Sequence, residues 1–339
     1  MPPSFIADPV DVVTVAMRNT GAGLSDLFLS PGSSVSLLSL AIALVLALAF
    51  LLLRRPSGRR RVRFKVLLRA FFPRDLLRAP STRVDLGFLA FNLFLAGAIF
   101  GGALMSYHWI GAATHDLLAR TFGTLAPSPL GPQACMAVMT VALVLAYELG
   151  FWIDHYTSHN IPLFWEIHRV HHTATHLTPM TQFRVHPVEV IKLDNILAVV
   201  MGGTYGIVGW ALGRPAAPFE VAGQNVVLLA FTLLLMHLQH TRFWIPFTGL
   251  LGRLVISPAH HQIHHSDDPA HHGKNLGAFL AVFDWMFGTL HVPARRRERL
   301  VFGVAPSGAE DQSLASVALT PVVSALSKVA PVWPRRRVA

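Results

Sequence analysis

Ten histidines in this 339-residue chain stand in short groups at helical spacing. His155 and His159 are four apart. His168, His171 and His172 are three and four apart, as are His261, His264 and His265. His237 and His240 are three apart. On a helix, residues at i, i+3 and i+4 share a face, so each group can aim several imidazoles at one point. Imidazole is the commonest protein ligand for metals and suits iron, copper and zinc. Histidine-rich runs also arise from composition alone, with adventitious metal binding. Here three groups repeat the same helix-face spacing, which points to a structured site. One ion takes about four to six ligands, so these nitrogens suggest two ions. Carboxylates accepting from imidazole N–H would offset the positive charge. Glu148, Asp154, Glu166, Asp194, Asp268 and Asp284 are available.

The elements that must position these groups read as largely membrane-embedded. The chain is 53% hydrophobic and 14% charged, with a mean hydropathy of +0.48. That is too apolar for an ordinary soluble protein. Val35–Leu53 is an apolar run long enough to span a bilayer. Eleven Arg/Lys and two acids follow, from Arg54 to Asp85. The positive-inside rule places that loop in the cytoplasm and the N-terminus outside. Residues 86–106 form a second span, 107–133 an outer loop, and 134–154 a third span returning inward. His155 and His159 then emerge just past the cytoplasmic interface. Ile191–Leu212 and Val221–Met236 are parted by GRPAAP at 213–218, which reads as a breaker. They form a helical hairpin whose Gly202, Gly203, Gly206 and Gly209 allow close packing. The chain from Thr241 onward is cytoplasmic, with basic patches at 295–299 and 335–337.

The expected fold is therefore all-α: an integral membrane helical bundle with a cytoplasmic histidine-rich helical cap holding a dinuclear metal site. Its parts are a lead-in (1–34), two spans with a basic loop (35–133), a catalytic domain (134–291) and a basic tail (292–339). Cys135 is the single cysteine, so no intrachain disulfide and no cysteine-based zinc or iron–sulfur site can form. The net charge is +10. In so apolar a chain it points to anionic lipid headgroups and not to nucleic acid. A metal transporter would place ionisable groups within its spans. A b-type cytochrome would pair histidines in mid-span. Neither pattern is present. The sequence has no GxGxxG loop and no haem-attachment motif, so redox chemistry would draw electrons from an external donor.

The groups and their flanks resemble the fatty acid hydroxylase/sterol desaturase superfamily of membrane non-haem di-iron oxygenases. That family's order HxxxH, HxxHH, HxxHH matches His155–His159, His168–His172 and His261–His265. Trp165 precedes the second box as in the family. Arg184, His186, Pro187 and Glu189, then Asn275 with Gly277, then Asp284–Thr289 match further flanks. The similarity covers roughly Tyr147–His291. Tyr156 departs from it, since the first box often reads His-Arg. His240 matches a recurrent family histidine, His237 lies three residues before it, and His186 rivals His237 as the tenth ligand.

The resemblance implies His155, His159, His168, His171, His172, His237, His240, His261, His264 and His265 as metal ligands. His186, Asp154, Glu166, Arg184, Asn275 and Asp284 would support the ligands or replace one. It implies two iron ions (Fe2+/Fe3+), with zinc able to substitute on overexpression, and O2 as co-substrate. The implied reaction is hydroxylation or desaturation of a C–H bond in a lipid such as a fatty acyl lipid or sterol. The electron donor would be a cytochrome, ferredoxin or reductase, and the protein would be multi-pass. The alternative is a catalytically inactive metal- or lipid-binding relative. His108, His115, His176, His260, His271, His272 and His291 are expected to be bystanders.

Overall fold

The computed structural model describes residues 28–31, 33–53, 74–92, 94, 105–304 and 313–329. Most of the lead-in, the basic loop and the expected second span, and the patch at 335–337, lie outside these residues. By its internal contacts the chain divides into two compact units, 1–56 with 220–237, and 57–219 with 238–339. The described residues are mostly helical, as expected. The exception is a small β-hairpin in the first unit, pairing Glu220–Val221 with Gln224–Asn225. Ala222 and Gly223, at φ +52° and +74°, make its turn. In the same unit the apolar helix Leu37–Leu53 packs against a π-helical turn, Thr232–Met236.

In the second unit a short helical turn, Arg74–Arg78, leads into α1 (Pro80–Phe91). Next comes α2 (Tyr107–Phe122), where a loop was expected. Ser106 starts α2 by accepting from the Trp109 amide, and Gly123 at φ +81° ends it. Then α3 (Pro132–Asn160) runs unbroken for 29 residues. The first-box histidines thus extend the expected third span and do not follow it. Ile161, at φ −101° and ψ 115°, is the single non-helical residue before α4 (Pro162–His172). Proline disfavours helical backbone in the residue before it, then supplies a pre-set first helical position itself.

A turn leads to α5 (Pro187–Ala211). Among the described residues α3 and α5 are the helices long and apolar enough to cross a membrane, by length and composition. The arms of the expected hairpin fall in the two different units. The glycines of α5 instead receive α2. A Cβ on Gly202 would meet the Tyr107 carbonyl at 2.6 Å, and one on Gly206 would meet Thr114 Cβ at 2.7 Å and the Gly111 carbonyl. Gly203 faces open space. Gly206→Ala should therefore destabilise by about 1–3 kcal/mol through overpacking. Gly203→Ala should be neutral or stabilise by up to about 1 kcal/mol through helix propensity. Thermal unfolding of the two variants in detergent checks this opposition of sign.

Three short helices follow: α6 (Gly249–Leu254), α7 (Pro258–His264) and α8 (Val282–Phe287). The expected basic tail contains α9 (Leu314–Val329). There Val317 joins Val84 and Phe88 of α1 and Val170 of α4 in a buried apolar cluster.

Candidate metal centre

Nine of the ten histidines come together, in two groups. His155, His159, His168, His172 and His264 form the first, and His171, His240, His261 and His265 the second. Within each group one nitrogen per ring lies within 4.8 Å of all the others. All nine are buried except His159, which is partly so. Each HxxHH box is divided between them. On α4, His168 and His172 enter the first group and His171 the second. At α7, His261 and His265 enter the second and His264 the first. The two boxes thus exchange their i+3 rings. Rings of the two groups touch, with His172 and His265 centroids 4.7 Å apart.

His237 belongs to neither group, contrary to expectation. Its Nε2 is 2.9 Å from Ser39 Oγ. His237 falls in the first unit, whereas both groups lie in the second. His186 lies in neither group either. It caps α5, its Nδ1 accepting from the Val188 amide, with Nε2 3.2 Å from the Ala318 carbonyl. The expected bystander His260 is a cap as well: its ring accepts from the Ser257 amide and donates to the Gly252 carbonyl.

The Nε2 atoms face one another. His168 Nε2 is 3.1 Å from those of His159 and His172. His240 Nε2 is 3.1, 2.9 and 3.2 Å from those of His171, His261 and His265. Two nitrogens each about 2.1 Å from one ion stand about 3.0–3.4 Å apart at octahedral or tetrahedral angles. Behind the first group, Nδ1 of His155 and His264 lies 2.8 and 2.9 Å from the carbonyls of Leu276 and Lys274. His171 Nδ1 lies 3.2 Å from the Arg184 carbonyl, and His168 Nδ1 bonds Glu189. A carbonyl can only accept, so Nδ1 carries the proton and the Nε2 lone pair turns inward. His264 Nε2 and His261 Nδ1 are buried without a hydrogen-bond partner.

Burial, reinforced by neighbouring rings, lowers His264 to about 3 and His171 to about 4. It holds His172, His261 and His265 well below the usual histidine value. These rings are neutral at pH 7, and their lone pairs would repel without a cation between them. The donor set fits one metal ion per group.

The fatty acid hydroxylase family model matches residues 140–289, the stretch that carries all nine rings. That stretch is a fatty acid hydroxylase domain. It is 24% identical to the alkylglycerol monooxygenase of Danio rerio over 47% of this chain and 31% of that protein. It is 28% identical to an ornithine lipid hydroxylase of Rhizobium tropici over 47% of this chain and 44% of that protein. It is also 28% identical to a very-long-chain aldehyde decarbonylase of Oryza sativa, over 55% of this chain and 28% of that protein. The chain spans less than half the length of these relatives. No solved structure matches it.

Within the hydroxylase domain, three of the expected supporting residues, Asp284, Glu148 and Asn275, hold backbone and not rings. Asp284 accepts from the Leu276 and Gly277 amides at 2.9 and 2.8 Å. Glu148 accepts from the Ala278 amide at 2.6 Å. Asn275, at φ +57°, donates to the His260 carbonyl and accepts from the His291 amide. Together they fix the loop whose Lys274 and Leu276 carbonyls orient His264 and His155. Arg184 is fully buried, with its guanidinium on Asp85, Thr173 and Ser81, while its carbonyl holds His171. Asp154 pairs with Lys192, and Glu166 with Arg169. A cavity of about 440 Å³ opens on the first group between His159, His172, His264 and His265, with Trp165 and Asn160 on its wall.

The carboxylate that does bond a ligand ring is Glu189, noted in the sequence only as a flank. It lies in the first turn of α5, three residues after the His186 cap, which aims it back at His168. Glu189→Gln keeps the shape but removes the charge behind the ring. Metal affinity of the first group should fall about 10–100-fold. Competition with a chelator, at unchanged thermal stability of the metal-loaded protein, measures it.

Proposed function

We propose that this chain is a membrane-bound di-iron oxidoreductase that uses O2 to hydroxylate or desaturate a C–H bond of a lipid. The observation that carries this reading is the pair of interlocked, all-imidazole groups with inward Nε2 lone pairs. Support comes from relatives named as a lipid hydroxylase and a monooxygenase. The ligands are His155, His159, His168, His172 and His264 for one iron, and His171, His240, His261 and His265 for the other. Zinc competes for the same nitrogens. When bound, the irons supply O2 activation and the oxidising power that an unactivated C–H bond requires.

The protein's part is positioning. Glu189 and the carbonyls of Leu276, Arg184 and Lys274 hold the Nδ1 protons, which keeps every such ring aimed inward. Burial keeps the rings neutral. The cavity beside His172 and His264 offers room for the reacting part of the substrate. Electrons come from an external cytochrome, ferredoxin or reductase. The Arg-rich sequence at 54–65 and 295–299 suits an acidic carrier. α3 and α5 are read as membrane spans, with the boxes on the cytoplasmic side that this basic sequence marks.

Lipid extracts of cells with and without the gene, compared by mass, test this reading, with iron measured in the purified protein. A gain of one oxygen means hydroxylation, and a loss of two hydrogens means desaturation. Unchanged lipids beside a fully iron-loaded protein would identify an inactive relative.

A further inference from the structure

Two short helices of the second unit carry apolar side chains outward. The Ile256 amide bonds the Phe279 carbonyl and the Ala281 amide bonds the Leu254 carbonyl, both at 2.9 Å, which sets α6 beside α8. Leu250 and Met286 are each 66% exposed, Phe287 55%, Leu251 51% and Trp285 49%. Single exposed apolar residues are ordinary, but a contiguous set of large ones marks a contact surface. The edge of this patch is cationic. The Arg253 guanidinium lies 5.6 Å from the centre of the Trp285 ring. Lys274 Nζ donates to the Gly288 carbonyl, directly after Phe287, at 3.1 Å.

The height of the patch is set by α3. Phe287 stacks on Trp152 at 4.6 Å, and Trp152 on Tyr156 at 4.9 Å. From Pro132 to Trp152 the helix rises about 30 Å at about 1.5 Å per residue, the thickness of a bilayer's hydrocarbon core. Trp152 and Tyr156 therefore stand where a spanning α3 leaves the hydrocarbon. Aromatic residues concentrate at that level, because it accepts an apolar ring with a polar edge.

We propose that this patch is a membrane-interface foot. Leu250, Leu251, Trp285, Met286 and Phe287 enter the boundary between headgroups and acyl chains, and Arg253 and Lys274 bind the phosphates of anionic headgroups. The inference rests on α3 being a span. It adds a second, non-spanning attachment on the segment that carries His261, His264 and His265. The third histidine box is thereby held at a constant height above the leaflet.

The test uses the full chain in nanodiscs of phosphatidylcholine with phosphatidylglycerol. Cys135→Ala clears the single native thiol, and Met286→Cys carries a nitroxide. Collisions with O2, which partitions into lipid, should exceed those with a water-soluble nickel chelate. A label at Val141→Cys on the outer face of α3 serves as the lipid reference. Arg253→Gln with Lys274→Gln, or phosphatidylcholine alone, should shift the Met286 label toward nickel. Nickel-dominated collisions with the intact charges would place the patch in water and overturn the proposal. Low access to both quenchers would mean that a second copy or another protein covers it, and would overturn it equally. A lipid-buried label indifferent to charge would overturn the headgroup contacts. If the Val141 label is also open to nickel, α3 is not a span, and the membrane reading itself fails.

Discussion

Alanine at His264 is expected to empty one metal position and abolish turnover. His264 reaches the first group from the box that otherwise serves the second. Its Nδ1 is held by the Lys274 carbonyl, and its buried Nε2 has no partner except what the group binds. Truncation removes one of the first group's five nitrogens and leaves a polar void among neutral rings. His172→Ala acts on the same group from α4. Each loss should exceed the about 10–100-fold that follows from altering a residue behind a ligand. Metal content should fall from about two ions per chain to about one, since a site short of ligands holds its ion weakly. His108→Ala with His115→Ala is the control. Both lie on α2 and in neither group. Activity there should stay within about threefold, an effect under about 1 kcal/mol. Product formed per folded protein and metal content, measured together, decide the matter. A His264→Ala protein that keeps both ions and full activity would remove it from the ligand set.

Arg184→Met should be the most destabilising single change away from the ligands. Arg184 and Asp85 are both completely buried, with Nε 2.6 Å from Oδ1. Thr178 and Thr181 complete the carboxylate's partners at 3.3 and 3.0 Å. Removing one member of a buried pair leaves an uncompensated charge and costs about 3–5 kcal/mol. Burial already raises Asp85 above its ordinary 3.8 even with the guanidinium beside it. Without Arg184 that rise grows, and the folded state binds a proton that the unfolded state does not. Stability then falls as pH rises. The loss should thus be smallest near and below pH 3.8 and largest at neutral pH. Arg184→Met with Asp85→Asn should recover part of it. Denaturant unfolding in detergent across pH measures both. Because the Arg184 carbonyl also orients His171, the second ion should bind more weakly in the single variant.

The histidine boxes were legible because spacing of three and four is a local property of a helix, and α4 and α7 are helices. Their division between two centres was not. A stripe of i, i+3 and i+4 is wide enough to face two points, and only the fold decides where each ring turns. His237 bonds Ser39 in the first unit, a partner 198 residues away that spacing does not reveal. Asp85 left no mark in the sequence near Arg184, 99 residues away, since a buried ion pair is a tertiary event. α2 was hidden because its glycine-lined seat is on α5, and its own composition is unremarkable. Glu189 stood in the flank all along, yet spacing alone does not say which ring a carboxylate meets.

The single residue Ile161 between α3 and α4 limits how this chain can diverge. Each helical residue turns the chain by about 100° and raises it by about 1.5 Å. One residue gained or lost at that joint would swing His168 and His172 out of register with His155 and His159. Two would bring the rear of α4 to the front. Length changes among descendants of this sequence are therefore confined elsewhere, to stretches such as 212–219 that no ring depends on. The joint is a ratchet tooth with one permitted position, and the chemistry is inherited only by copies that keep its count.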